Sequence, residues 1–394
     1  MKILFITPAY KPAFGYGGPT ISVSELAEAL VKIGHDVTVY TTTANGETEL
    51  DVVTGYATEL NGVEVYYFKR ITGDHTHVSP ALWRKLWKTE KEFEVIHLQS
   101  WWSFLIIGAA LICRLKKRSF ILSPRGMLGQ YSFTNQHNFS KKIIHSLVGK
   151  SLLKRSLLHA TTMLEWKDCM QVYKSWKGFI LPNLVNLPSV RYHHSEEKFP
   201  GFTIGFLSRI DPKKGIELLF NALSEVNFNY RLRIAGWGDE KYIDTLKLLA
   251  SQLNISDRIE WCGWINGESK FRFMNELDLF VLTSYNENFA IAVTESLAMG
   301  TAVLVSENVG LADYVKEKKL GFVCKAEVPA IKRELNKIYA NKNDLIRIKN
   351  DAPEIIAEDF DKRYLARQYV SAYKDILGFK AETEPIFYVE EKVF

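Results

Sequence analysis

Short apolar runs alternate with segments of helical periodicity along this chain, and the alternation runs through twice. The first series is KILFIT, DVTVYTT, VEVYYF, VIHL, FILS, LHAT and FILP. Runs this short and this apolar suit strands buried on both faces, with the helical segments crossing between parallel neighbours. The pattern therefore predicts βαβ units on a parallel sheet. One local exception is Asn61-Gly62, which reads as a hairpin turn into VEVYYF. A polar stretch at 186–201, NLPSVRYHHSEEKFPG, reads as a linker, after which FTIGFLS, YRLRIAG, IEWCG, LDLFVLTS and TAVLVS restart the series. Helices are expected from near Lys214, Asp239, Glu268 and Phe289, and a last one, DKRYLARQYVSAYKDIL, from an Asp361 cap. The expected fold class is α/β, with two Rossmann-like, doubly wound domains. Residues 1–190 are assigned to the first, 191–360 to the second, and 361–394 to a closing helix and tail. A chain of 394 residues is long enough for each domain to bury its own core.

Composition narrows the function classes. With 47% hydrophobic and 24% charged residues, the chain is ordinary for a globular protein. Cys113, Cys169, Cys262 and Cys324 are scattered without a C-x-x-C, which favours buried thiols in a reducing compartment over a disulfide framework or a zinc site. MKILFITPAY reads as a buried first strand rather than a signal peptide, because its apolar run stops at Pro8. WWSFLIIGAALIC at 101–113 is too short to span a bilayer and is expected as a buried helix. The net charge of +5 conceals an asymmetry: Val95 to Leu164 contains no Asp or Glu, while Arg114 to Arg155 carries a series of lysines and arginines. Such a region calls for an anionic partner, nucleic acid or an anionic membrane. No nucleic-acid module accompanies it. Within it, 140–160 has apolar Ile143, Ile144, Leu147, Leu152 and Leu158 among its lysines. That segment reads either as a basic amphipathic helix lying on anionic lipid, or as a helix packed on the sheet with its lysines in water.

Two clusters carry the chemistry. In NENFAIAVTESLAMG, Glu287 stands before a helix and Glu295 within it, eight positions apart. Asn288 leads into that helix, and the N–H groups of Phe289, Ala290 and Ile291 at its N-terminus make an anion site. Carboxylates accept hydrogen bonds from hydroxyls and amides hold phosphate, a combination that suits a nucleotide-diphosphate sugar. In SRIDPKKGIELLF, Arg209, Lys213, Lys214 and Gly215 lie between strand and helix, where a diphosphate would be neutralised. Lysines at a helix start are as often merely solvated, and glutamates at this spacing also arise by chance. Both clusters, however, fall beyond strand carboxyl ends of one doubly wound half, where ligands bind. Elsewhere, Gly15, Gly17 and Gly18 in PAYKPAFGYGGPT allow backbone to approach a phosphate, or form a plain mobile loop; G-x-G-x-x-G is absent. Arg125 in SPRGMLGQY ends a strand. It cannot act as a base near neutrality, and would stabilise a diphosphate, bind an acidic acceptor, or make a surface salt bridge. His97 reads as a structural hydrogen-bonding residue. Gly236 and Gly238 form a tight turn lining the nucleotide pocket, and Trp264 either stacks on a base or joins the core. The D-x-D at Asp359 to Asp361 suits a helix cap, and no metal is required where Arg209 and Lys214 supply the positive charge.

With E-x7-E at Glu287 and Glu295, R-x4-K at Arg209 and Lys214, and the glycine pair Gly17 and Gly18, the chain resembles the retaining glycosyltransferases of family 4. The resemblance covers nearly all of 1–378 and is more specific in the C-terminal half. It implies a GT-B fold whose two domains face a central cleft, acceptor side N-terminal and donor side C-terminal, with the last helix crossing back. It also implies transfer of a sugar, of hexose type, from a nucleotide-diphosphate sugar to a hydroxyl with retained configuration. The destination would be a bacterial surface polysaccharide or a lipid-linked glycan. The enzyme would be cytoplasmic and peripheral on the inner face of the cell membrane, through its basic region 114–155. Arg209, Lys214 and Glu287 would be catalytic. Gly17, Gly18, Arg125, Gly236, Ile265, Asn288, Phe289, Ala290, Ile291 and Glu295 would bind the donor, Glu295 through its ribose. No cofactor, metal or nucleic acid is called for. Two departures stand out: Arg125 replaces the histidine of a P-x-H-G pattern, and PNLVN, with Leu184 and Asn186, replaces P-N-G-V-D around Asn183. The rivals are a nucleotide-sugar epimerase on the same fold and a non-catalytic sugar- or lipid-binding module. The first leaves the basic N-terminal face without a purpose, and the intact charged residues argue against the second.

Overall fold

The computed structural model describes residues 1–129, 149–188, 199–376 and 378. They divide into two units, 1–185 with 360–394, and 186–359. In the first, Lys2–Ile6 (β1) leads through a glycine loop into Gly18–Lys32 (α1) and then Asp36–Thr42 (β2). Ala44–Asn45 (β3) and Thr48–Glu49 (β4) form a separate antiparallel ribbon, too short for any apolar pattern to announce. Ala57–Leu60 (β5) and Val63–Phe68 (β6) are the expected hairpin. Asn61 and Gly62, at φ 53° and 81°, supply the left-handed backbone that a two-residue turn needs. Pro80–Thr89 (α2), Val95–Gln99 (β7), Phe104–Leu115 (α3), Phe120–Ser123 (β8), Lys150–Leu153 (α4), Ser156–Ala160 (β9), Met163–Val172 (α5) and Gly178–Ile180 (β10) follow. The sheet order is β10-β9-β8-β7-β1-β2-β6-β5, parallel except for β5. The central β7 and β8 are buried at every position, whereas β5 at the edge is half exposed. The segment expected as a buried helix is buried on one side only: α3 buries Leu105, Ile106, Ala109, Ala110, Ile112 and Cys113, while Phe104, Leu111 and Leu115 are exposed. Of the basic segment 140–160, residues 140–148 lie outside the described residues; beyond them Leu152 and Leu158 are buried while Lys154 and Arg155 are exposed.

The second unit runs Phe202–Leu207 (β11), Ile216–Ser224 (α6), Tyr230–Ala235 (β12), Glu240–Gln252 (α7), Ile259–Gly263 (β13), Gly267–Asn275 (α8) and Leu279–Leu282 (β14). It continues with Ile291–Ala298 (α9), Ala302–Ser306 (β15), Ala312–Glu317 (α10), Gly321–Cys324 (β16), Val328–Ala340 (α11) and Asn343–Asp359 (α12). All six strands are parallel, in the order β13-β12-β11-β14-β15-β16. This is the Rossmann order, with its reversal between β11 and β14. Strand β16 escapes the sequence pattern because it is an edge: it opens on a glycine and only Cys324 is buried. The chain then returns to the first unit. Lys362–Ile376 (α13), capped by Asp361 accepting from the Tyr364 amide at 2.6 Å, packs on α1. It buries Tyr369 and Tyr373 against that unit's sheet.

Candidate active site

The reversal between β11 and β14 opens a crevice at the strands' carboxyl ends, and both chemical clusters fall there. After β11, Asp211 accepts from the Lys213 amide at 3.0 Å and closes a short turn over Pro212–Lys214. Gly215 ends the turn at φ +63°, and a Cβ there would sit 2.4 Å from the Thr283 carbonyl. That carbonyl lies just past the end of β14. The Thr283 hydroxyl donates to the Gly215 carbonyl at 2.8 Å, and the Tyr285 amide donates to the Lys213 carbonyl at 2.8 Å. Only glycine permits this approach, so the two loops are fixed side by side. A third loop fixes the far side: the Glu287 amide donates to the Asn308 carbonyl at 3.0 Å, and the Gly310 amide to the Glu287 carbonyl at 2.8 Å.

This scaffold brings Lys214 onto Glu287 as a hydrogen-bonded ion pair, with side chains only 7% and 17% exposed. The bland alternative of a solvated lysine is thereby excluded for Lys214. Burial alone would push the Glu287 carboxyl up, but Lys214, Lys213 and Arg209 together outweigh it and hold it below the usual carboxylate value. Burial lowers Lys213; Glu287 opposes that, while Lys214 and Arg209 reinforce it. Arg209 itself is exposed. Three cations thus share one carboxylate, an arrangement with positive charge to spare for an anion.

Downstream, Asn288 is half-buried, Phe289 and Ala290 are buried, and α9 starts at Ile291. Ala290 caps the helix at φ 72°, a left-handed conformation that L-residues other than glycine adopt at a cost. Glu295, the fifth residue of α9, is 4% exposed and is met by Lys270 from α8. Burial raises its carboxyl above the usual value, and Lys270 opposes the rise. Lys270 is absent from the sequence expectations, although a signal exists. It stands three and four residues before the buried Phe273 and Met274, a charge on the buried face of its helix.

The glycine turn beyond β12 is held by close contacts. A Cβ at Gly236 would meet the Ser208 carbonyl at 1.9 Å, and one at Gly238 the Ile210 carbonyl at 2.0 Å. These glycines press the turn against the Arg209 loop. Ile265, half-buried, links β13 to α8, and the neighbouring Trp264 is 53% exposed, so it is not a core residue.

The other unit holds the remaining expected residues. Gly17, at φ +70°, caps α1, and Gly18 is its first residue, in the loop after β1. Arg125 lies at φ 57° and makes no surface salt bridge: Nε donates to Gln99 Oε1 at 3.0 Å, and Nη1 to Asn183 Oδ1. Asn183, in the turn that departs from the family pattern, is thus an anchor for this arginine. His97 is structural, sharing Ser123 at 2.6 Å with His159 and bonding Tyr373 at 2.9 Å.

Comparison with known proteins follows the same division. A family model described as "Glycosyltransferase Family 4" matches residues 16–187, and one described as "Glycosyl transferases group 1" matches 193–355. An uncharacterized glycosyltransferase of Methanocaldococcus jannaschii is 26% identical over 95% of this chain and 98% of its own. Alpha-monoglucosyldiacylglycerol synthase of Streptococcus pneumoniae is 24% identical over 92% of this chain and 84% of its own. Among solved structures, sucrose-phosphate synthase from Thermosynechococcus elongatus superposes with TM-score 0.74 at 18% identity, over 96% of this chain and 99% of that one. Anabaena HepE in complex with UDP and glucose superposes with TM-score 0.70 at 17% identity, over 95% of this chain and 100% of that one.

Proposed function

Because this chain belongs to the family 4-type glycosyltransferases of the GT-B fold, we propose that it moves a sugar from a nucleotide-diphosphate donor to a hydroxyl with retained configuration. The observation that carries this reading is the buried Lys214–Glu287 pair, flanked by Lys213 and Arg209 at the sheet's reversal. In the reading, the donor diphosphate takes Lys214, Lys213 and Arg209, and the Ile291 end of α9 adds its N-terminal dipole. Glu287, released by Lys214, accepts from hydroxyls of the donor sugar. Glu295 accepts from the ribose. Gly236, Ile265 and Asn288 complete the donor contacts of the second unit. The bond from the anomeric carbon to the β-phosphate oxygen breaks, and a bond to the acceptor oxygen forms on the same face. The acceptor proton passes to the departing phosphate oxygen, and the cations stabilise the charge that develops there. No step asks for a metal. HepE, which has been solved in complex with UDP and glucose, makes UDP the first donor nucleotide to try.

Thermal shift with UDP, GDP, ADP and CMP, on wild type and Glu295→Ala, tests the donor half. A shift for one nucleotide that disappears in the variant is the expected result. No shift with any of them would remove the donor reading.

A lipid-linked acceptor reached from an anionic membrane surface is the companion reading. Trp87, Phe104, Leu111 and Leu115 on α2 and α3 are exposed, among Arg84, Lys88, Lys91 and Lys117, which are exposed too. Exposed apolar side chains with cations in the same stretch, as where Lys116 lies 4.2 Å from the Trp87 ring, suit an anionic interface. Relatives that act in glycolipid synthesis, alpha-monoglucosyldiacylglycerol synthase among them, lend it support. Sedimentation with anionic vesicles at low salt should exceed that with neutral ones, and equal partitioning would sink the idea.

A further inference from the structure

Glu295 is buried, and a carboxylate in such a place tends to lose its charge. Its surroundings answer that tendency with one group. Lys270 reaches across from α8 and donates to Oε1, with its side chain only 19% exposed. Among the described residues no other group donates to this carboxylate. Helix α12 and strand β15, which also pack against α9, contribute no charge that perturbs it. An ion pair so placed is poor evidence of stabilisation, since apolar side chains of the same volume would hold α8 to α9 as well or better. Its effect is on the carboxylate: one oxygen is pinned, and the other, Oε2, has no donor among the described residues.

We propose that Lys270 is a positioning residue for nucleotide recognition, holding Glu295 charged and oriented so that Oε2 accepts from a ribose hydroxyl. The inference rests on the assignment of Glu295 to the ribose above, and adds to it the residue that makes that contact possible. A hydroxyl held by a charged acceptor is worth more than one held by a neutral acid, which would offer a weaker acceptor and a proton of its own. Lys270 therefore acts on the nucleotide through Glu295, not by touching it.

The test measures affinity for UDP, GDP and ADP and for their 2′-deoxy counterparts, by calorimetry, on wild type, Lys270→Met and Lys270→Arg. Wild type should prefer the ribonucleotide by about tenfold, the size of one hydrogen bond to a charged group. Lys270→Met should lose about that factor for the ribonucleotide and nothing for the deoxynucleotide, so that discrimination vanishes. Lys270→Arg should restore it. Equal losses on both nucleotides, or none on either, would make Lys270 structural and overturn the inference. A wild type that binds nucleotide but ignores the 2′-hydroxyl would instead remove the ribose assignment of Glu295. Should Lys270→Met fail to fold, Lys270→Gln keeps a donor without the charge, and the same loss of discrimination is required of it.

Discussion

At the scale of single residues, the site is a matter of which cation serves which carboxylate. Lys214 rests on Glu287, and on the proposed reading its value in turnover lies in leaving that partner as charge grows on a departing diphosphate. Lys214→Ala should therefore lower kcat by about 100- to 1,000-fold, the usual effect of removing one preorganised donor. The Kd for the nucleotide should rise much less, because Lys213 and Arg209 remain. Equal losses in kcat and in affinity would mean that Lys214 only binds. Arg209, Lys214, Glu287 and Glu295 were legible in the sequence because each occupies a fixed offset from a strand end or a helix start. Lys270 was not, because its pairing with Glu295 joins two helices 25 residues apart in the chain. The Arg125–Asn183 contact was hidden for the same reason, its partners lying 58 positions apart.

At the scale of elements, two helix starts adopt the same left-handed backbone with opposite consequences. Gly215 opens α6 at φ +63° against the Thr283 carbonyl, whereas Ala290 opens α9 at φ 72° with a Cβ it would be better without. Gly215→Ala should destabilise the second unit by at least about 2 kcal/mol, from the backbone penalty plus the 2.4 Å approach to Thr283. It should also part the β11 loop from the β14 loop and abolish activity. Ala290→Gly should stabilise the unit by about 1 kcal/mol. Urea unfolding of both variants checks the signs, and a destabilising Ala290→Gly would show that the αL strain is not what that position contributes. The elements themselves were largely readable. Twelve of the strands coincide with apolar runs, and Asn61-Gly62 announced β5 through its turn. What the pattern missed, β3, β4 and β16, consists of strands at a margin, where exposure removes the apolar signature on which the reading depends.

At the scale of the molecule, the second unit is one continuous segment set between two parts of the first, and only the first depends on α13. The restart of the alternation revealed two halves, but nothing in the sequence of α13 showed that its tyrosines would satisfy buried histidines. Tyr373 bonds His97 and Tyr369 bonds His159, each at 2.9 Å, and both histidines are 0% exposed. Burial lowers His97 well below its ordinary value and takes His159 to about 3; His77, also in the first unit, is lowered to about 4. A histidine held neutral in the fold but free to protonate when unfolded withdraws stability as pH falls through about 6.5. The loss is about 1.4 kcal/mol per pH unit for each such residue, until its folded value is reached. Among the described residues, every histidine lies in the first unit. The carboxylates of the second unit do not withdraw stability there. The raised carboxyl of Glu295 favours the folded state as it protonates, and the depressed Glu287 keeps its charge, and the stability it confers, until pH falls below the usual carboxylate range. Acidification from about pH 7 to about pH 5 should therefore open the first unit while the second stays closed. Hydrogen exchange read by mass spectrometry, corrected for the intrinsic pH dependence of exchange, resolves the two. Loss of protection first in 202–359, or in both units together, would contradict the assignment of acid sensitivity to the buried histidines beneath α13.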